Sequence, residues 1–183
     1  MKHIIWTAQI KRAPTVDRHC KRCRAKRSFA SSGLFRVNAQ QKNVDVWLIY
    51  KCSVCDSTWN LTVLSRVNPH SILPETLWKF HGNDPELALH YASNAPLIKK
   101  NGGDPGIPLV EIEGEQVSLK EPVRIHLIAE QVMEVEVLAI LRNQLGLSRS
   151  EMEQMCDSGR LRCVSGQDIK KCRLVGEIVI EIK

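Results

Sequence analysis

The sequence predicts an α+β protein built in three parts. The first sixty-odd residues are rich in β-branched and apolar runs. Residues 69–103 then show helix-start signals, with proline at first helical positions. After residue 104, strand-like alternation and helical periodicity follow each other along the chain. These observations predict a β domain at residues 1–68, a helical connector at 69–103, and a β segment plus small α+β domain at 104–183.

The N-terminal part is predicted to be almost entirely β-structure. Alternating and β-branched runs favour strands, and residues 40–43 form a polar turn suited to a hairpin. Asn68 and Pro69 end the last run, because proline cannot continue a ladder of hydrogen bonds. The predicted strands are residues 4–10, 29–39, 44–51 and 58–67.

The helical connector contains three short segments. Pro74 opens the first, which extends to Phe80, and Asp84 can cap the second, with Pro85 at its first position. The third covers residues 96–100. Residues 101–106 combine glycine, asparagine, aspartate and proline, so we expect a linker and a domain boundary there.

The C-terminal part is predicted to combine strands with two helices. Two extended segments flank a turn at Gly114, and a strand follows at residues 123–127. Ser148 and Glu151 have the spacing of a capping box, which starts a helix that reaches residue 156. The remaining predicted elements are extended segments at residues 109–112 and 116–119, a helix at 135–145, and strands at 161–164 and 177–182.

Composition is that of an ordinary globular protein, with 43% hydrophobic and 25% charged residues among 183. The sequence has no apolar run long enough to span a bilayer and no secretory signal at its start, so we expect a cytoplasmic protein without membrane association. Charge is unevenly distributed: the net charge is +9 for residues 1–60, −5 for 61–136 and +2 for 137–183. The basic first third favours a polyanionic partner.

Four of the seven cysteines form two Cys-x2-Cys pairs, Cys20/Cys23 and Cys52/Cys55. This spacing lets two thiolates face one tetrahedral ion, and two such knuckles supply four ligands. The 28 residues between the pairs accommodate the predicted hairpin. The pattern therefore predicts a structural Zn²⁺ site in a zinc-ribbon-like β domain.

Other interpretations of these cysteines remain open. They could be unliganded core residues, a redox pair, or iron–sulfur ligands, and His19 could replace one ligand. The three remaining cysteines are irregularly spaced and are predicted to be small buried residues: Cys156, Cys163 and Cys172.

Cations surround the first cysteine pair. A cluster of lysine and arginine indicates phosphate contacts, although such cations also offset the charge of a zinc tetrathiolate. Trp6, Trp47 and Trp59 lie in the same region, and an exposed one could stack on a base. The predicted nucleic-acid-binding cations here are Lys21, Arg22, Arg24, Lys26 and Arg27.

The C-terminal fifty residues resemble the alpha-L RNA-binding motif of the small-subunit ribosomal protein four type (S4-like). The matching segments are residues 146–149, 159–161, Gly166 and 176–180. The resemblance implies an S4-like α+β fold whose cations contact RNA phosphates. The residues it places there are Arg149, Arg160, Lys170 and Lys171.

Most of the chain also resembles the bacterial family catalogued as domain of unknown function 1062. The resemblance is carried by both cysteine pairs and by the residues between and after them. It implies a bacterial protein with a zinc ribbon, and it supplies no activity. The segments concerned are residues 18–23, 32–39, 42–60 and 83–84.

The function we expect is that of a non-enzymatic, zinc-containing protein that binds nucleic acid, either structured RNA or the ribosome. The alternative is a protein-interaction scaffold with purely structural zinc, which the acidic segment 61–136 would suit. The third hypothesis is that the protein is an enzyme. The sequence contains no phosphate-binding glycine loop and no nucleophile elbow, and we identify no small-molecule substrate. Polar residues that could line a pocket include Asn38, Asp45, Asp56, Asn60, Asn83 and Asp84.

Overall fold

The structure is a computed structural model that describes residues 1–40, 42–130 and 135–183. The chain divides into two compact units. One is Arg12–Leu109, which contains both Cys-x2-Cys pairs and is called the four-cysteine unit below. The other, the discontinuous unit, combines Met1–Lys11 with Val110–Lys183. Within the described residues, no helix is long and apolar enough to cross a membrane.

Strands dominate the first half of the chain, and three short helices follow them. Asn68 caps a single 3-10 turn, Pro69–Ser71, between the last long strand and the first helix. The elements are β1 (Lys2–Arg12), β2 (Val16–Cys20), β3 (Ala25–Gln40), β4 (Asn43–Cys52), β5 (Thr58–Val67), α1 (Pro74–His81), α2 (Pro85–Ala92), α3 (Ala95–Lys100) and β6 (Asp104–Pro105).

The second half combines strands with two helices. A 3-10 turn at Ile169–Lys171 lies between the last strands. The elements are β7 (Leu109–Gly114), β8 (Val123–Ala129), β9 (Val135–Glu136), α4 (Val137–Leu145), α5 (Arg149–Asp157), β10 (Leu161–Cys163), β11 (Arg173–Leu174) and β12 (Glu177–Ile182).

The four-cysteine unit is a five-stranded sheet with helices on one face. Its strand order is β5-β4-β3-β2-β6, and the pairs are antiparallel. Phe80, Ala88, Ala92 and Ile98 of the helices share a buried cluster with the inward side chains of the strands. Burial of this apolar surface holds the helices on the sheet. Within the described part of this unit, α1, α2 and α3 all pack on this one face.

The discontinuous unit contains a second five-stranded sheet, of order β10-β12-β8-β1-β7. β1 pairs in parallel with β8, whereas β12 is antiparallel to both β8 and β10. A short ladder of β9 and β11 accompanies it. α4 ends at Gly146, which has φ 65, and α5 begins at the predicted capping box of Ser148 and Glu151. The buried side chains include Trp6, Ile125, Leu127, Leu141 and Ile180.

The division of the chain differs from the expected ranges in two respects. Residues 1–11 do not belong to the same unit as the other predicted N-terminal strands, because β1 pairs with β8, more than a hundred residues later. The expected linker at residues 101–106 is built into the four-cysteine unit: Asp104 and Pro105 pair with β2. A Cβ on Gly103 would lie 2.5 Å from Val16 Cγ1, so this glycine is part of the packing.

Two predicted elements are wrong in detail. The predicted helix 135–145 begins only at Val137, because Val135 and Glu136 pair with β11. The expected turn at Gly114 is instead the end of strand β7, and residues 116–119 are not a strand. Part of the predicted 40–43 turn, Gln41, lies outside the described residues. α+β character is confirmed, with β5 and β12 at their predicted bounds.

Glu181 predicts a pH dependence of stability in the discontinuous unit. Its buried carboxylate accepts hydrogen bonds from Arg162 and from Arg124 (3.0 Å), which lower the pKa of Glu181. A carboxyl whose pKa is lower in the folded state stabilises the fold above its unfolded pKa, and this contribution disappears as pH falls through the folded value. Glu181→Gln should therefore lower the free energy of unfolding at pH 7, and the deficit should shrink below about pH 4.

Urea unfolding titrations at pH 7 and below about pH 4 test this expectation. Glu113→Gln is the matched control, since Glu113 is an exposed residue of β7 in the same sheet. A deficit for Glu181→Gln that is constant with pH would contradict the prediction.

Candidate metal centre

The two cysteine pairs occupy equivalent turns at one end of the sheet. Cys20 ends β2 and Cys23 lies in the turn before β3, while Cys52 ends β4 and Cys55 lies in the turn before β5. The residue after each second cysteine has positive φ, 54° at Arg24 and 56° at Asp56. This left-handed residue reverses the chain, so both thiols of each turn point the same way.

The four sulfur atoms form one compact cluster. All four Sγ atoms lie within 4.8 Å of one another, with Cys20–Cys55 at 3.6 Å and Cys23–Cys52 at 4.0 Å. A tetrahedral ion with metal–sulfur bonds of about 2.3 Å requires sulfur separations of about 3.8 Å. A disulfide requires about 2.05 Å. The spacing therefore fits a four-coordinate metal ion, and the cysteines are free thiols.

Ser57 is a polar neighbour that the sequence analysis missed. Its Oγ lies 3.2 Å from Cys20 Sγ and 3.1 Å from Cys55 Sγ. Its hydrogen bond is the largest of the contacts that lower the pKa of Cys20 to about 6, ahead of that from the Cys23 N–H, and it also lowers the pKa of Cys55. The thiol of Cys23, hydrogen-bonded to Cys55, has its pKa raised to about 12. Ser57 thus favours the thiolate form that binds metal.

Ser57 also predicts a measurable change in metal affinity. Hydrogen bonds to ligand atoms orient the ligands and stabilise their charge, and removing such a partner typically costs about 10- to 100-fold in affinity. We expect Ser57→Ala to show that loss in competition with a chromophoric chelator. Ser53→Ala is the control, since Ser53 is exposed in the same turn. Equal affinities for the two variants would contradict a role for the Ser57 hydroxyl.

Arg18 is a second neighbour missed by the sequence analysis. Its guanidinium lies 4.2 Å from the centre of the Trp59 ring and 6.0 Å from that of Phe29. Burial lowers the pKa of Arg18, while the nearby Cys20 raises it. Its position two residues before Cys20, on the same side of β2, is the sequence signal that places this cation beside the thiolates.

The predicted cations of the N-terminal patch are all exposed around the first turn. Arg22 Nη1 donates to the Cys55 carbonyl (3.3 Å), which joins the two turns. Lys26 lies 3.4 Å from Asp104. Among described residues, the other four have no carboxylate within salt-bridge distance: Lys21, Arg22, Arg24 and Arg27. His19 is exposed and is not a member of the cluster.

The predicted C-terminal cations are exposed but mostly paired. Arg149 contacts Glu153 at 3.0 Å, and Lys170 contacts Asp157 at 2.6 Å. Lys171 lies 3.9 Å from Asp168, and Arg160 donates to the Lys183 carbonyl at 3.1 Å. Three of these four cations therefore already have a carboxylate neighbour, so they offer a phosphate less than the N-terminal patch does.

The remaining cysteines lie outside the four-thiol cluster. Cys163 and Cys172 are buried, as predicted, with their sulfur atoms 3.4 Å apart, whereas Cys156 is half-buried. Within the described residues they do not form a second metal-ligand group.

Several of the polar residues considered for a pocket have structural partners instead. Asn83 Oδ1 accepts from the Phe35 N–H (2.7 Å), and Asp45 accepts from the Arg66 N–H (2.8 Å). Asp84 caps α2 by accepting from the Leu87 N–H (2.8 Å). These side chains satisfy backbone donors at turns and helix starts, which explains their presence without a reaction.

Fold and site together define an α+β protein with a four-cysteine cluster suited to a metal ion. The family described as "Protein of unknown function (DUF1062)" matches residues 37–167, and the chain belongs to it. The match includes Cys52 and Cys55 and begins after Cys20 and Cys23. No curated protein and no solved structure matches the chain.

Proposed function

We propose that this protein is a non-enzymatic, zinc-containing protein that binds structured RNA, either free or in the ribosome. The metal is assigned as Zn²⁺ from the donor set, since four thiolates in one tetrahedron are a common structural zinc shell. Four protein ligands leave no open coordination position for a substrate or water. The role assigned to the metal is therefore to hold the two turns together.

The observation that carries the proposal is the set of unpaired cations on the first turn. Zinc bound by four thiolates has a net charge of −2, which one or two neighbouring cations would offset. Arg18 already lies against the cluster. Arg27 also hydrogen-bonds the Cys23 thiol. The exposed cations Lys21, Arg22 and Arg24 exceed that need, and a concentration of lysine and arginine without carboxylate neighbours on one turn suits RNA phosphates.

The C-terminal segment gives weaker support. α4, the capped α5 and the antiparallel strands β10 and β12 follow in the order of the predicted helices and strands in the segment that resembles the S4-like motif. The N-terminus of α5 also favours a phosphate. Its cations, however, are mostly paired with carboxylates. We therefore assign the main phosphate contacts to the N-terminal patch and a secondary contribution to Arg149 and Lys170.

Fluorescence anisotropy with a labelled stem-loop RNA, single-stranded RNA and duplex DNA, over a salt series, tests the proposal. Binding should prefer RNA. The logarithm of the binding constant should fall linearly with the logarithm of the salt concentration, with a slope of about 0.7–0.9 per neutralised phosphate. Arg22→Ala/Arg24→Ala should weaken binding and reduce that slope by about 1.4–1.8. Lys99→Ala/Lys100→Ala, at exposed lysines of α3, is the matched control. Absence of binding at low salt would overturn the proposal.

One observation favours the alternative function of a protein-interaction scaffold. Trp78 on α1 is 74% exposed, and Leu73 immediately before this helix is 73% exposed. Large exposed apolar side chains are typical of protein contacts. A chain that retains zinc, does not bind RNA at low salt, and loses a protein partner on Trp78→Ala would support this function instead.

A further inference from the structure

Of the three N-terminal tryptophans, Trp47 is the one whose side chain lies on the face of the four-cysteine sheet opposite to its helices. Trp6 is completely buried, and Trp59 packs against the buried cluster beneath Arg18. Trp47 is half-buried on β4, where side chains alternate between the two faces of the sheet. The side chains that point to the helices are Val44, Val46, Leu48, Tyr50 and Cys52, each at most 1% exposed.

The opposite face of β4 therefore carries Asp45, Trp47, Ile49 and Lys51, of which Lys51 is exposed and the other three are partly buried. Register places Arg36 of β3 and Thr62 of β5 on either side of Trp47. The Arg36 guanidinium lies 5.9 Å from the centre of the indole ring. The tryptophan is thus framed by a cation and a hydroxyl rather than by apolar core residues.

Arg36 and the outward side chains of β4 include two cations and one carboxylate, that of Asp45, so this part of the face has a net positive charge, which suits a polyanion. Neither Arg36 nor Lys51 has a carboxylate within salt-bridge distance among the described residues. The nearest acidic side chain on β4, Asp45, has its carboxylate engaged by the Arg66 N–H. Arg36 therefore lies beside the indole, and Lys51 lies about 13 Å from Trp47 along the strand.

This face ends at Lys51, at the end of the sheet that carries the two cysteine turns. Lys51 precedes Cys52, whose sulfur contacts that of Cys23 at 4.0 Å. The first turn therefore lies at the same end of the sheet as Lys51. A chain of phosphates could follow one continuous path from the turn, past Lys51, to Arg36.

We propose that this face, comprising Arg36, Trp47, Ile49, Lys51 and Thr62, binds an unpaired RNA segment by stacking a base on Trp47. The inference rests on the proposed RNA-binding function and specifies its substrate: a loop or single strand rather than a continuous duplex. Stacking on a protein aromatic ring requires a base that has left its own helix. Lys51 and Arg36 hold the flanking phosphates.

The decisive experiment compares Trp47→Leu with Trp47→Phe in the zinc-loaded full chain. Labelled ten-nucleotide oligouridine is the single-stranded probe, and a blunt RNA duplex is the comparison. Trp47→Leu should weaken oligouridine binding by about 5- to 100-fold, because one stacked base is lost. Trp47→Phe should recover much of the affinity, since phenylalanine retains a stacking ring. Trp78→Leu, at the exposed tryptophan of α1, should bind like the wild type.

Native tryptophan fluorescence gives a second readout, which in the wild type detects a base on an indole ring without any substitution. Oligouridine should quench the emission of the wild type and of Trp78→Leu, but not that of Trp47→Phe. Wild-type binding that is equal for oligouridine and duplex, or unaffected by Trp47→Leu, would overturn this inference and leave the proposed function in place. Absence of binding to every RNA would overturn both.

Discussion

Cys52→Ser is expected to abolish metal retention and unfold the four-cysteine unit. Cys52 is completely buried, and its thiol is one of four that converge at one point. Structural zinc contributes about 10–16 kcal/mol in zinc-finger peptides. That amount equals or exceeds the net stability of a typical domain, about 5–15 kcal/mol. The variant should therefore lose the cooperative transition of this unit.

Metal analysis by mass spectrometry and thermal unfolding measure the two halves of this prediction. The wild type should carry one zinc ion per chain and lose its cooperative transition when a strong chelator is added. Cys156→Ser should keep both the metal and the transition, since Cys156 lies outside the cluster. Wild-type protein that is purified without metal and is insensitive to chelator would contradict a structural zinc site. An iron–sulfur chromophore would replace zinc as the assignment.

Trp6→Ala is expected to cause the largest loss of stability in the discontinuous unit. The indole is completely buried, and its Nε1 donates to the Glu115 carbonyl at 2.8 Å. Gly114 lies so close that a Cβ there would be 2.5 Å from Trp6 Cδ1, so the ring is tightly enclosed. Removing it leaves a cavity and an unpaired carbonyl, with an expected cost of about 3–5 kcal/mol.

Urea unfolding in excess zinc, followed by circular dichroism, measures this loss. Trp78→Ala removes the same side chain from an exposed position and should change the free energy of unfolding by no more than about 0.5 kcal/mol. Comparable shifts for the two variants would show that Trp6 does not anchor the sheet of this unit.

Much of the local structure follows from short stretches of sequence. The hydrogen bonds of a capping box join residues three apart, so Ser148 and Glu151 alone predict the start of α5. The spacing of Ile178, Ile180 and Ile182 at every second position likewise predicts β12 at its observed bounds. The doubled Cys-x2-Cys spacing predicts which four sulfur atoms meet, because the short spacer lets two thiols of one turn face one ion and two such pairs complete a tetrahedron.

The sequence also predicts family membership, because the pattern around Cys52 and Cys55 is specific enough to indicate it. Function was not, since the family has no activity to transfer.

Only the tertiary structure decides where distant segments pair and which charges remain free. β1 reads locally as a strand of the N-terminal domain, yet its backbone hydrogen bonds are made with β8. Val135 and Glu136 fit a helix by periodicity, yet they pair with β11. Lys170 and Arg22 look equally cationic, but only Lys170 lies beside a carboxylate, that of Asp157. Hydrogen-bond partners and counter-charges far along the chain leave no mark on local periodicity, so sequence patterns predict elements and ligands better than pairing or surface charge.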